Sequence, residues 1–230
     1  MHAAAIVPAA GQGIRMQFGQ PKALIPLLRR PMLAWTLQAI LQSGLFSEVF
    51  VACPPGDEQS FTKAVPAIPG GAPTHFIAGG RTRQDSVQNC LEKVSAKCEL
   101  VAIHDGARPL VTEVILRETL QKAAETGAAL AAVPSKDTVK ECDERGVIVR
   151  TLVREHLRLV QTPQCFRLQL LKKAFDAARS EGFSATDDSA IVERLGVEVH
   201  VVMGSYENIK VTTPEDIMIC EEILRRRQSI

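Results

Sequence analysis

The sequence predicts an α/β fold, a mostly parallel sheet with helices on both faces. Three observations predict it. Apolar, β-branched runs alternate with stretches whose apolar residues recur at helical spacing. The strand-like runs read as buried, which suits a sheet covered on both sides. Prolines, glycines and capping residues mark many of the changeovers.

Each element follows in chain order. "AAAIV" (Ala3 to Val7) reads as a buried strand. "PMLAWTLQAILQSG" reads as a helix, with proline at its start and Gly44 at its end. "SEVFVAC" and "HFIAG" read as strands, the second ending at Gly79-Gly80. "QDSVQNCLEKV" is a helix and "ELVAIHD" a strand. "TEVILRETLQKAAETG" is a helix capped by Thr112 and closed by Gly127, and "AALAAV" is the next strand. After Val133 the pattern changes. "DTVKECDERGVIVRTLVR" reads as two extended runs joined by Asp143-Glu144-Arg145-Gly146, a hairpin signal. A lone ribbon is marginal in water, so it should pack on something, a second copy of the chain being one candidate. "RLQLLKKAFDAARSEG" and "DDSAIVERLG" read as helices, "VEVHVVMG" and "NIKVT" as strands, and a last helix starts at Thr213-Pro214.

Composition narrows the function. The 230 residues are 46% hydrophobic, enough for one large domain over residues 1–230, with an arm over residues 136–155. A formal net charge of +1 argues against a nucleic-acid coat or a membrane-surface protein. The run Arg225-Arg226-Arg227 reads as a solvated helix end. Six scattered cysteines form no C-x-x-C pair, which argues against a zinc site and suits buried, reduced thiols. The N-terminus lacks a basic n-region and Pro8 breaks its apolar run, and no segment has the length of a membrane span. A soluble, cytoplasmic protein is expected.

In parallel sheets of this kind, ligands bind beyond the carboxyl ends of the strands. Three loops therefore matter. "PAAGQGIRM" (Pro8 to Met16) places Met16 where a dinucleotide turn needs a small residue, and the second strand ends without an acidic residue for a ribose diol. What remains is a loop of small residues with Arg15 and then Pro21-Lys22. It is either a phosphate cradle or a plain turn with two surface cations. "HDGARP" puts Asp105 at a strand end with Arg108 close by, a Mg²⁺ ligand or a capping aspartate. "AGGRTRQDS" offers a second glycine pair, and Lys210 in "NIKVT" is either snorkelling or aimed at an anion.

Taken together, "PAAGQGIRM" with "PK", "HDGARP", "TPQ" (Thr162 to Gln164), "TDDS" (Thr186 to Ser189) and "NIKVT" resemble the 2-C-methyl-D-erythritol 4-phosphate cytidylyltransferase family, in its stand-alone form. The resemblance implies a Rossmann-like sheet of the nucleotidyltransferase type with a protruding β-hairpin arm. It implies transfer of a cytidylyl group from CTP to a short polyol phosphate. It assigns Pro8, Ala9, Ala10, Gly11, Gly13, Gly80, Ser86 and Gly106 to the nucleotide. Arg15, Lys22 and Lys210 would stabilise charge at the α-phosphate, and Asp105 would hold Mg²⁺. Arg108, Thr138, Arg154 and Thr162 would bind the polyol phosphate, with Thr138 and Arg154 acting across a homodimer formed through the arm. Gly106, Arg81 and the surroundings of Arg154 depart from the family pattern. A ribitol 5-phosphate cytidylyltransferase shares the nucleotide loops, and a non-catalytic nucleotide-binding protein is the rival of another class.

Overall fold

Small and β-branched residues at the centre of the sheet let helices pack closely on both of its faces. The computed structural model describes residues 2–11 and 21–228. In chain order the first half contains β1 (Ala3–Pro8), the two-residue strands β2 (Pro26–Leu27) and β3 (Arg30–Pro31), α1 (Met32–Gln42), β4 (Glu48–Cys53), α2 (Glu58–Ala64), β5 (Thr74–Ala78), α3 (Arg83–Leu91), β6 (Leu100–Ile103) and α4 (Glu113–Thr126). The second half contains β7 (Ala128–Pro134), β8 (Lys140–Cys142), β9 (Ile148–Thr151), β10 (Arg158–Arg167), α5 (Leu168–Ser180), α6 (Asp188–Glu193), β11 (His200–Met203) and α7 (Pro214–Gln228). The main sheet has the order β11-β7-β10-β6-β1-β4-β5. Only β10 runs antiparallel to its neighbours, β6 and β7.

Alternation along β1 divides the core. Ala3, Ala5 and Val7 pack with Leu33 and Leu37 of α1 and with Leu116 and Leu120 of α4. Ala4 and Ile6 pack on the other face with Val87 of α3 and with Leu171 and Phe175 of α5. A third cluster joins Ile25, Leu27 and Met32 to Cys220 and Leu224 of α7. It ties the segment after Pro21 to the last helix. Thr112 caps α4 through the Ile115 amide, and Gly127 closes the helix at φ +100°, as its position in the sequence indicates.

The mostly parallel sheet, the helices on both faces and the hairpin agree with the sequence reading. In the arm, β8 pairs with β9 in a separate two-stranded sheet. The Asp143 carboxylate shapes its turn by accepting the Val147 and Arg145 amides at 2.9 and 3.0 Å.

Four readings change. Strand β10, which the sequence pattern does not announce, lies inside the sheet between β7 and β6. The short helix α2 is also new. "NIKVT" is not a strand: residues 208–212 form a loop whose Val211 amide donates to the Ala107 carbonyl at 2.9 Å. The C-terminal arginines are more than a solvated end. Arg227 donates to the Leu110 carbonyl at 2.9 Å, and both Arg226 and Arg227 pair with Glu207.

Five cysteines are buried as expected, but Cys142 in the arm is exposed. Burial pushes the thiols of Cys53, Cys90 and Cys220 up to about 12, which suppresses the reactive thiolate. The native protein should therefore show at most one fast-reacting thiol in a colorimetric titration at neutral pH, abolished by Cys142→Ser. Two or more fast thiols would contradict this packing. Among the described residues no helix is long and apolar enough to cross a membrane.

Candidate active site

The loops leaving β1, β5 and β6 meet at the carboxyl edge of the sheet, where they enclose a cavity of about 750 Å³. Its wall contains Pro8, Ala9, Ala10 and Gly11 from the first loop and Gly79 to Arg83 with Ser86 from the second. Asp105, Gly106 and Ala107 come from the third, and Lys22 and Lys210 complete it. Of the residues expected to contact a nucleotide, Pro8, Ala9, Ala10, Gly11, Gly80, Ser86 and Gly106 all line this cavity. Gly13 and Arg15 lie outside the described residues.

Backbone packing explains the glycine pair. A Cβ on Gly79 would sit 2.7 Å from the Ala10 Cβ and 2.9 Å from the Cys53 carbonyl oxygen. One on Gly80 would come within 2.2 Å of the Asp85 Cβ. Only glycine lets the second loop approach both the first loop and the start of α3 this closely. The Ser86 hydroxyl is part of the wall's own bonding. It accepts the Gly80 amide at 3.1 Å and donates to the Thr82 carbonyl at 2.8 Å. The Thr82 and Asp85 side chains form a reciprocal capping box that starts α3 here.

Asp105 is the only carboxylate in the described wall of the cavity, and cations surround it. Lys210 Nζ lies 2.8 Å from its Oδ2, Arg83 Nε 3.3 Å from its Oδ1, and Arg108 Nε 3.7 Å from its Oδ2. Burial alone would raise its pKa. Arg83, Lys210 and Arg108 outweigh burial and hold the carboxyl well below the usual carboxylate range. Arg83 also reaches the fully buried Asp188, with Nη2 2.7 Å from Oδ2. Burial works against the charge on Arg83, but Asp188 and Asp105 prevail and raise its pKa. Burial pushes Asp188 itself upward, against the pull of Arg83. Asp105, Arg83 and Asp188 thus form a charge chain from the cavity into the core.

The substrate-side residues separate into two groups. Arg108 and Thr162 are buried beside Asp105 and are absent from the cavity wall. The Arg108 guanidinium donates to the Asn208 carbonyl at 2.7 Å. The Thr162 hydroxyl oxygen accepts the Asp105 amide at 3.0 Å. Thr138 and Arg154 lie exposed at the base of the arm, where Arg154 donates to the Lys136 carbonyl at 3.1 Å.

Sequence reading missed Arg83 and Asp188 as parts of the site. In "GGRTRQDS" an arginine amid polar residues at a helix start looks solvated. Its two aspartate partners lie far along the chain, so no local signal marks it.

A mostly parallel sheet carries at its carboxyl edge a glycine-lined cavity with lysines and one carboxylate held ionised. That combination suits handling of a polyphosphate and defines a protein of the nucleotidyltransferase class. The family model for 2-C-methyl-D-erythritol 4-phosphate cytidylyltransferase matches residues 3–226. The chain belongs to that family. It is 43% identical to the 2-C-methyl-D-erythritol 4-phosphate cytidylyltransferase of Bacillus cereus, over 95% of this chain and 96% of the relative. The enzyme of the same name from Pelotomaculum thermopropionicum is also 43% identical, over 98% of this chain and 95% of the relative. Among solved structures, 4-diphosphocytidyl-2C-methyl-D-erythritol synthase from Anaerococcus prevotii superposes with a TM-score of 0.86 at 30% identity, covering 98% of this chain and 99% of that one. The cytidylyltransferase of Thermus thermophilus gives 0.80 at 37% identity, covering 98% and 100%.

Proposed function

We propose that this chain transfers the cytidylyl group of CTP to 2-C-methyl-D-erythritol 4-phosphate in isoprenoid biosynthesis. The products are 4-diphosphocytidyl-2-C-methyl-D-erythritol and pyrophosphate. The observation that carries this reading is the cavity wall, in which Lys22, Lys210, Arg83 and Asp105 converge beside small-residue loops.

In the reaction, a phosphate oxygen of the polyol attacks the α-phosphorus of CTP. The new P–O bond forms as the bond to the β-phosphate bridging oxygen breaks, and pyrophosphate leaves with that electron pair. A phosphate dianion is already nucleophilic, so no general base is required. The difficulty is charge: two anions must meet, and the equatorial oxygens gain negative charge as they do. Fixed cations in a partly dehydrated cavity are the physical answer. The presence of Lys22 and Lys210 in the cavity wall supports this role for them. The small wall residues admit a flat pyrimidine ring close to backbone groups.

A Mg²⁺ at Asp105 would have to share the carboxylate with Lys210, Arg83 and Arg108. The described wall offers a single carboxylate, so substrate phosphates and water must supply most of the ligands, which is how Mg²⁺ commonly binds nucleotides. When bound, the ion would neutralise triphosphate charge.

The arm supports a homodimer. Val147, Ile148, Val149 and Val153 are each more than half exposed on a ribbon that pairs only with itself. Across such an interface Thr138 and Arg154 would act on the polyol phosphate, as the family resemblance implies. Deleting Val139 to Thr151 should convert the protein to a monomer in sedimentation velocity runs; an unchanged dimer would remove the arm from the interface.

Pyrophosphate release with CTP, Mg²⁺ and each of two polyol phosphates tests the substrate. Methylerythritol phosphate should turn over far faster than ribitol 5-phosphate. The reverse order would overturn the assignment, and no release with either would reject catalysis.

A further inference from the structure

His104 precedes the central aspartate, yet it neither lines the cavity nor meets solvent, being 0% exposed. The site described above gives it no role. Its ring nitrogens nonetheless have definite partners. Nε2 lies 3.0 Å from the Arg108 carbonyl oxygen, and Nδ1 lies 3.0 Å from the Thr162 hydroxyl oxygen.

Donor and acceptor chemistry leaves one consistent arrangement for the neutral ring. A carbonyl can only accept, so Nε2 must carry the hydrogen. Nδ1 then holds a lone pair and can only accept. Thr162 must therefore donate its single hydroxyl hydrogen to Nδ1. One lone pair on Thr162 Oγ1 accepts the Asp105 amide, which donates at 3.0 Å. The same residue's carbonyl accepts the Asn208 side-chain amide at 2.9 Å. The Asn208 backbone carbonyl in turn accepts Arg108 at 2.7 Å, two residues before Lys210.

We infer that His104 is a positioning residue, which through the Thr162 hydroxyl fixes the Asp105 loop against the loop carrying Lys210. Thr162 is then a junction between catalytic loops. The relay is anchored at both ends in backbone, Arg108 C=O at one and Asp105 N–H at the other. All its members are buried, so water cannot replace a lost bond. Its loss shifts the Asp105 carboxylate and the Lys210 ammonium relative to each other, and small displacements of reacting geometry are costly.

This inference rests on the cytidylyl-transfer reading above, and its test separates the two. The full-length protein is compared with Thr162→Val, Thr162→Ser, His104→Gln and the Val/Gln double variant. Thr162→Val should lower kcat by about 10–100-fold with the KM for either substrate changed less than about threefold. Thr162→Ser should restore kcat to within about threefold of the parent. The double variant should lose far less than the product of the single losses, because both changes break one relay. Independently of activity, nitrogen NMR of the parent should show the His104 ring protonated on Nε2 and not on Nδ1. The opposite tautomer overturns the relay. A Thr162→Val protein with near-parent kcat and only a lowered melting temperature overturns the positioning role. A raised KM for methylerythritol phosphate at parental kcat makes the hydroxyl a substrate contact and also overturns it. If the parent transfers nothing, the functional reading fails, while the NMR result still decides the hydrogen-bond direction.

Discussion

Replacing Lys22 by alanine lowers kcat by about 10²–10³-fold and leaves the fold intact. One preorganised donor aimed at developing charge contributes roughly 2.7–4 kcal/mol in a site that excludes water. Lys22 is held for such a task. It opens a 3-10 turn in which the Leu24 amide bonds the Pro21 carbonyl at 2.9 Å and the Ile25 amide bonds Lys22 at 3.2 Å. Ala23 and Ile25 anchor that turn in two different hydrophobic clusters. The lysine side chain meets the cavity, while the core contacts belong to its neighbours. Truncation therefore removes the charge while Ala23 and Ile25 still anchor the turn, and the fold should survive. Steady-state kinetics beside an exposed control, Lys173→Ala, measure the effect. A Lys22→Ala enzyme within about threefold of the parent would show that its charge does not act on the transition state.

Asp105→Ala carries the second large effect, on stability and catalysis together. Removing one partner of a buried ion cluster leaves the others uncompensated, which costs roughly 3–5 kcal/mol. The lower end applies here, because Lys210 is 41% exposed and can turn to water. Arg108 cannot, being buried with its Nε facing Asp105. Denaturant melts should show the loss, and a change below about 1 kcal/mol would mean that the cluster contributes little net stability.

The same carboxylate sets an acid limit. Its folded pKa is depressed below the ordinary 3.8, so its contribution is fully present above the unfolded value. It is lost as the pH falls below about 4 towards the folded pKa. Acid denaturation of the parent should therefore steepen below that pH, and Asp105→Ala should flatten this limb.

The elements legible in the sequence are those whose local pattern matches their tertiary role. β1 is apolar because it is buried on both faces, and α4 announces itself through Thr112 and Gly127. Strand β10 hides for the opposite reason. Gln161, Thr162 and Gln164 interrupt its apolar pattern, and Pro163 cannot donate to a ladder. The pairing with β7 slips between Val160 and Gln164. These polar side chains are buried nonetheless, because they bond the site's loops. Gln161 reaches Ser205 and Asn208, Thr162 reaches His104, and Gln164 reaches Asp187 and the Ser189 amide. Polar residues that serve a site look, in one dimension, like a loop. The cavity loops were readable as motifs, but the ion chain from Asp105 through Arg83 to Asp188 exists only after folding.

The central place of β10 bears on the protein's synthesis. β6 and β7 flank α4 in the chain, yet a strand not yet translated must slot between them. Until Arg158 to Arg167 leaves the ribosome, both flanks carry unsatisfied edges open to stray pairing. The partner for the Asp105 amide arrives with that same segment, and Lys210 later still. A nascent chain that stops short of β10 is therefore open to stray pairing, and the Asp105–Lys210 pair forms only once residue 210 has been made.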